Sequence, residues 1–201
     1  ESTLRSGGDF YALLKAVNTA FFQFLFSLAE RPEKSRTGEN RTQKGKSIMQ
    51  IRQLTDDTEK QRVTRRILEA LPDWFGIPEA REEYIAESAG KAFFCAYDGN
   101  SPAGFLYLKE TGRDTVELYV MGVLPQLHRR GIGRELLNRA KEAAREMGYA
   151  FMQVKTVQMG KYPQYDRTNR FYRTLGFREF EVFPTLWDPG NPCQIYVLYL
   201  Q

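Results

Sequence analysis

The stretch from Val123 to Leu137, V-L-P-Q-L-H-R-R-G-I-G-R-E-L-L, decides how the rest of the chain is read. A β-rich run, Thr115 to Val123, leads into it, and a helical run, Glu135 to Met147, leads out. Between them stand Gly131 and Gly133, with arginines at 129, 130 and 134. Glycines let a backbone turn sharply and approach a ligand closely. The first turn of a helix has free N–H groups and the positive end of a dipole. This combination makes a site for an anion, most naturally a phosphate.

Two familiar phosphate loops do not fit. A nucleoside-triphosphate loop needs Gly-Lys-Ser/Thr, and here Arg134 and Glu135 follow the second glycine. A dinucleotide fingerprint needs a third glycine where Leu136 stands. The pattern V-x-P-x-x-H-x-x-G-x-G at a strand end resembles the acetyl-CoA loop of the GNAT superfamily of N-acetyltransferases, [QR]-x-x-G-x-[GA]. The alternative is an ordinary strand-loop-helix turn that uses glycines only for geometry. The resemblance covers Met49 to Leu200. A second signature supports it: Asn169-Arg170-Phe171-Tyr172 followed by Leu175-Gly176-Phe177.

Taken in order, Met49 to Gln53 reads as an edge strand. Thr55-Asp56-Asp57 starts a helix with an apolar face of Val63, Ile67, Leu68 and Leu71, ended by Pro72. Leu71 to Pro78 reads as an aromatic loop, and a helix runs from Pro78 to about Ala89. Strands follow at Lys91 to Tyr97, Ala103 to Lys109 and Thr115 to Val123. The helix Gly133 to Met147 should bury Leu136, Leu137, Ala140, Ala144 and Met147, with Gly148 as its cap. Tyr149 to Thr156 is a strand, Asp166 caps a helix, and Phe177 to Phe183 and Gln194 to Leu200 are the last strands. This order, β-α-α-β-β-β-α-β-α-β-β, is that of GNAT proteins. It implies an α/β fold with a mixed, mostly antiparallel central sheet flanked by helices.

The chain of 201 residues carries a formal charge of +4. Residues 1–48 hold eight Lys/Arg against five Asp/Glu, so the remainder is nearly neutral, with 21 against 20. No basic face calls for nucleic acid. No run is apolar and long enough to span a bilayer. Two cysteines do not make a disulfide framework and fit a reducing, cytoplasmic setting. No metal is expected. Residues 1–48 look foreign to the rest: Phe10 to Ala29 is apolar and aromatic, and Glu30 to Ser47 is a charged linker by composition. A secretion signal, a helix for a partner or membrane surface, and translated upstream sequence are three readings. The third is adopted, because Lys44-Gly45-Lys46 suits a purine-rich stretch before a start at Met49.

Acyl transfer from a thioester to an amine needs the cofactor held, a proton removed, an oxyanion stabilised and a thiolate reprotonated. The resemblance assigns the pyrophosphate to the backbone of His128, Arg129, Arg130, Gly131, Ile132, Gly133 and Arg134. It assigns pantetheine pairing and thioester polarisation to Met121, Gly122 and Val123. His128 departs from the family's Gln or Arg, and its place implies a phosphate neighbour far from the thioester. The arginines read equally well as solvated charges.

Period two puts Glu117, Tyr119 and Met121 on one strand face. Glu117 resembles the general base of the histone-acetyltransferase branch; the alternative is a solvated or ion-paired glutamate. Asn169 is assigned to pantetheine or an ordered water. Tyr172 is assigned as hydrogen-bond donor to the CoA sulfur and general acid, the alternative being an aromatic packed on Phe177. Trp74, Phe75, Tyr84, Glu117 and Tyr119, with the segment Phe183 to Pro192, fall where GNAT enzymes bind the acceptor. The aromatics equally pack on each other. Asp73, Glu79, Glu82 and Glu83 would suit an amine or form a solvated face. Cys193 has no base beside it, so a thiol nucleophile is disfavoured.

Residues 49–201 therefore read as a GNAT-like acetyltransferase acting by direct attack of a primary amine on acetyl-CoA in a ternary complex. A small-molecule acceptor comes first and a protein N-terminus or lysine second. A non-catalytic acyl-CoA sensor on the same scaffold is the reading from another class. A homodimer stays open.

Overall fold

A computed structural model describes residues 49–200. The expectations for residues 1–48 lie outside the described residues. The elements are β1 (Met49–Leu54), α1 (Asp57–Glu69), α2 (Pro72–Phe75), α3 (Pro78–Glu87), β2 (Ala92–Asp98), β3 (Ser101–Gly112) and β4 (Thr115–Val123). They continue with α4 (Ile132–Glu146), β5 (Phe151–Val157), α5 (Pro163–Thr174), β6 (Arg178–Asp188) and β7 (Asn191–Tyr199). The seven strands form one sheet in the order β1-β2-β3-β4-β5-β7-β6. Every neighbouring pair is antiparallel except β4 and β5. This is the mixed, mostly antiparallel sheet that the order of elements implies.

Two apolar layers sandwich the sheet. On one side α4 and α5 bury Leu136, Leu137, Ala140, Ala144 and Tyr172 against Leu106, Leu118, Met152 and Val154. On the other, α1 sets Val63, Ile67, Leu68 and Leu71 against Phe93, Phe105, Tyr107 and Val120. Asp56 caps α1 by accepting the Glu59 N–H at 2.7 Å, as Thr55-Asp56-Asp57 suggests. Gly122 makes close helix-to-strand contact possible. A Cβ placed there would stand 2.8 Å from Ile67 Cγ2 and 3.0 Å from Leu71 Cδ1.

Several expectations are corrected. The aromatic loop from Leu71 contains a helical turn, because Pro72 occupies a first-turn position, where its missing N–H costs nothing. Asp166 lies inside α5, which Pro163 opens, and its carboxylate accepts the Gly160 N–H at 2.7 Å. Met147 is 54% exposed, since the chain leaves the helix there and turns at Gly148 with φ 87°. The segment Phe183 to Pro192 is a long hairpin of β6 and β7. Pro184 is tolerated because β6 is an edge strand.

The straight alternation along β4 also fails. Tyr107 pairs with Val120 and Leu108 with Leu118, so Tyr119 is an extra residue, a bulge. Val116 and Leu118 face α4 and α5 before it, and Met121 and Val123 do so after it. Met121 therefore lies on the opposite face from Glu117.

Gly122→Val should force α1 away from β4 and cost about 1–3 kcal/mol. The check is the urea midpoint, which should fall at constant slope; an unchanged midpoint would contradict this packing account.

Candidate active site

β4 and β5 stay together for only three residue pairs, Thr115 with Phe151, Val116 with Met152 and Glu117 with Gln153. Beyond Glu117 they part. β4 keeps its pairing with β3 as far as Val123. The Leu124 N–H donates to the Ala103 carbonyl at 2.9 Å, which fixes the alternation. Gly122 turns its peptide groups toward β3, while Met121 and Val123 turn theirs into the gap. A cleft of about 1040 Å³ opens at this parting.

At one end of the cleft the turn before α4 forms a concave backbone. Arg129 has φ 62° and Gly131 φ 83°, both left-handed. Gly131 is the helix N-cap and supplies no side chain to the first turn. The first helical bond runs from the Glu135 N–H to the Gly131 carbonyl. The N–H groups of Ile132, Gly133 and Arg134 thus precede any intrahelical acceptor and point out of the helix end. The two glycines serve different needs. A Cβ on Gly131 would meet nothing within 4 Å, so its space is open to a ligand. A Cβ on Gly133 would stand 2.9 Å from Met121 Cε and 3.0 Å from Phe171 Cζ, so this glycine lets α4 close on β4 and α5.

His128 lines the cleft but turns away from the helix end. Its Nε2 is 2.7 Å from the Val123 carbonyl and its ring meets Trp74 edge-on at 6.2 Å. A carbonyl only accepts, so this contact calls for the Nε2–H form. The sequence puts His128 beside phosphate; the structure puts it beside the strand edge. Arg129 and Arg134 line the cleft, whereas Arg130 is exposed and does not.

Glu117 is 4% exposed and lines the cleft at the parting. Lys155 on β5 places Nζ 2.6 Å from its Oε2, and Gln153 donates to the same oxygen at 3.4 Å. Burial raises the Glu117 pKa, opposed mainly by Lys155. A charge pair at this depth keeps its carboxylate usable only because the ammonium stands close. Sequence reasoning missed Lys155. Its signal is a lysine in period two with Gln153 on a strand, and the β4–β5 register supplies the rest.

Tyr172 lines the same cleft from α5, 7% exposed, and packs on Phe177 at 5.8 Å. Burial raises its pKa well above the ordinary phenol value, so it stays protonated and can donate. Asn169, fully buried, does not line the cleft. Its amide donates to the Val157 carbonyl at 3.0 Å and the Tyr165 carbonyl at 2.7 Å, tying α5 to the end of β5. Its Oδ1 is buried without a partner.

The opposite end is aromatic. Trp74, Phe75, Tyr84 and Tyr119 all line it. Tyr84 meets Phe75 at 5.9 Å and Tyr119 at 5.8 Å, both edge-on, so these rings pack on one another while facing the cleft. Lys109 Nζ stands 4.1 Å from the centroid of the Tyr119 ring. Tyr165 from α5 and Trp187 from β6 complete the walls. Of the four acidic residues near α3, only Glu83 lines the cleft; Glu82 is held by Arg65 at 2.6 Å. Cys95 and Cys193 are fully buried and burial pushes both thiols up to about 12, which leaves neither a nucleophile.

A strand pair that parts beside a helix N-terminus, with a carboxylate and a phenol in the gap, fits the family that the sequence matches. Residues 52–177 match the model of the acetyltransferase (GNAT) family, and the chain belongs to that family. No curated protein matches the sequence significantly. Among solved structures, a GNAT-family protein of Desulfovibrio desulfuricans shares the fold with a TM-score of 0.67 at 23% identity, over 77% of this chain and 100% of that one. The ribosomal-protein-S18-alanine N-acetyltransferase of Escherichia coli aligns at 0.61 and 18% identity, over 77% and 95% of the two chains. A GNAT family acetyltransferase of Elizabethkingia anophelis with acetyl-CoA bound aligns at 0.60 and 17% identity, over 77% and 99%.

Proposed function

We propose that residues 49–201 form an N-acetyltransferase that moves an acetyl group from acetyl-CoA to a primary amine by direct attack in a ternary complex. The acceptor is a small molecule, and the setting is the cytoplasm, where acetyl-CoA is supplied. The observation that carries the reading is the free edge of β4, which stands between the backbone concavity of α4 and a buried carboxylate. Family membership and the acetyl-CoA bound to the Elizabethkingia anophelis neighbour support it. Residues 1–48 stand outside this reading.

The backbone N–H groups of Ile132, Gly133 and Arg134 hold the pyrophosphate, and the open space at Gly131 lets it approach. The peptide groups of Met121 and the Val123 N–H pair with the pantetheine amides, the Val123 carbonyl being held by His128. An N–H on this edge also polarises the thioester carbonyl, giving the developing oxyanion a donor. Glu117 takes the proton of the attacking amine, directly or through a water, and Lys155 keeps Glu117 ionised. The N–C bond forms to give a tetrahedral oxyanion, its collapse restores the carbonyl and breaks the C–S bond, and Tyr172 donates its hydroxyl hydrogen bond to the departing sulfur. With its pKa raised by burial, Tyr172 stabilises the thiolate more than it surrenders a proton. The sulfur draws its proton in the end from solvent.

A free-thiol release assay over a panel of small amines tests this reading. Release on one amine class supports it, and none on any amine contradicts it. A base works only when ionised, so kcat/KM should rise with pH through the Glu117 pKa and level off above it. Burial raises that pKa, so the midpoint of this limb should lie above the ordinary carboxylate value of about 4.3. Glu117→Gln should abolish the limb and lower turnover on the order of a hundredfold. A limb that survives in Glu117→Gln would remove Glu117 from this role.

In the same assay, Tyr172→Phe should lower kcat on the order of a hundredfold with little change in KM for acetyl-CoA. Full turnover in Tyr172→Phe would overturn its assignment.

A further inference from the structure

Lys109, Lys155 and Arg81 stand around the aromatic end of the cleft, which Arg167 of α5 also lines from an exposed position, and two of the first three have ion-pair partners. Lys109 Nζ lies 2.9 Å from Glu87, and Lys155 Nζ lies 2.6 Å from Glu117. The third is Arg81 on α3. Arg81 lines the cleft and is half-buried, and its Nε is buried without a hydrogen-bond partner. Among the described residues no carboxylate lies within 4 Å of it. Its field reaches Glu82, but both carboxylate oxygens of Glu82 are taken by Arg65 at 2.6 Å. Glu83 shares the wall without forming an ion pair with it.

A guanidinium donor out of water and without an acceptor is costly, and what best satisfies it is a planar carboxylate. Position supplies the rest. Arg81 and Tyr84 are three apart on α3 and share a face. Tyr84 packs on Tyr119, two residues along the strand from Glu117, and its hydroxyl feels the Glu117 charge. Glu117, Tyr84 and Arg81 thus follow one another along one wall, with a carboxylate at one end and a cation at the other. A molecule bound along it meets an amine-seeking group first and an anion-seeking group beyond, with aromatic surface between.

We infer that the acceptor is an amine that carries a carboxylate several bonds away, and that Arg81 binds this distal carboxylate while Glu117 receives the proton of the amine. This deepens the acetyltransferase reading and rests on it. Arg81 acts in specificity. Its contribution belongs in the KM of the acceptor, with acetyl-CoA binding unaffected.

The test compares amines that differ only in a distal carboxylate, 4-(2-aminoethyl)benzoate with phenethylamine and 6-aminohexanoate with pentylamine. Free-thiol release is followed with the full chain and acetyl-CoA. The parent protein should favour the carboxylate-bearing amine of a pair by about tenfold or more in kcat/KM, the worth of one charge-assisted pair. In Arg81→Ala that ratio should collapse toward one, and Arg81→Lys should keep part of it. A second readout needs no turnover. The chain has two tryptophans, and both Trp74 and Trp187 line the cleft. 6-Aminohexanoate should change their fluorescence in the parent protein and not in Arg81→Ala at the same concentration. Turnover on amines with no preference for a carboxylate, or a preference that survives Arg81→Ala, overturns the inference and leaves the acetyltransferase standing. No turnover on any amine overturns both.

Discussion

The site depends on where β4 lets go of β5. Two parallel strands that stayed paired would satisfy every peptide group between them and leave no room for a ligand. Here the pairing ends at Glu117 and Gln153, and β4 continues alone on that side to Val123. What holds the strands apart is packing. Met121 and Phe171 press against Gly133 from β4 and α5, and Asn169 binds the Val157 carbonyl at the far end of β5. The cleft is therefore part of the core's architecture. Its walls are buried on their outer sides by the same residues that stabilise the fold, and a rigid gap holds a ligand without paying to order it.

The bulge at Tyr119 follows from the same constraint. Without it, Glu117 and Met121 would share a face, and the carboxylate would stand with the side chain that packs on α4. The extra residue turns Glu117 toward Lys155 and the aromatic end while keeping Met121 against Gly133. One irregularity thus separates the proton-handling side of the strand from the side that seats the helix. Burying Glu117 is tolerable because Lys155 neutralises it, and the remaining mismatch keeps the carboxyl readier to take a proton than an exposed one.

Much of this was legible in the sequence. The turn from Val123 to Leu137 can be read because glycines, a strand pattern and a helix pattern meet there. The two glycines report backbone needs that favour glycine, Gly131 by its φ of 83° and Gly133 by its contacts with Met121 and Phe171. The order of elements implies the mixed, mostly antiparallel sheet, while the place of β7 between β5 and β6 comes from the structure. Met121 falls on the opposite face from Glu117 because the bulge at Tyr119 leaves no mark in composition, and alternation assumes that none occurs. The sequence reading ends a strand at Phe183, whereas β6 runs on to Asp188, because an edge strand can carry Pro184. Lys155 and Arg81 were missed for another reason. Each is an ordinary charged residue in its own segment, and each gains meaning only from what stands across the cleft. The helix-end turn is local and shows in the sequence; the acceptor wall is assembled from α3, β4 and β5 and does not.

The account turns on acetyl-CoA lying along the free edge of β4 with its pyrophosphate in the turn before α4. The most direct test is calorimetric titration of the full chain with acetyl-CoA, beside Gly131→Val. The account predicts one site per chain in the parent protein and at least about tenfold weaker binding in the variant, whose side chain fills the open space at the helix end. No binding by the parent protein, or equal binding by the two, would contradict it.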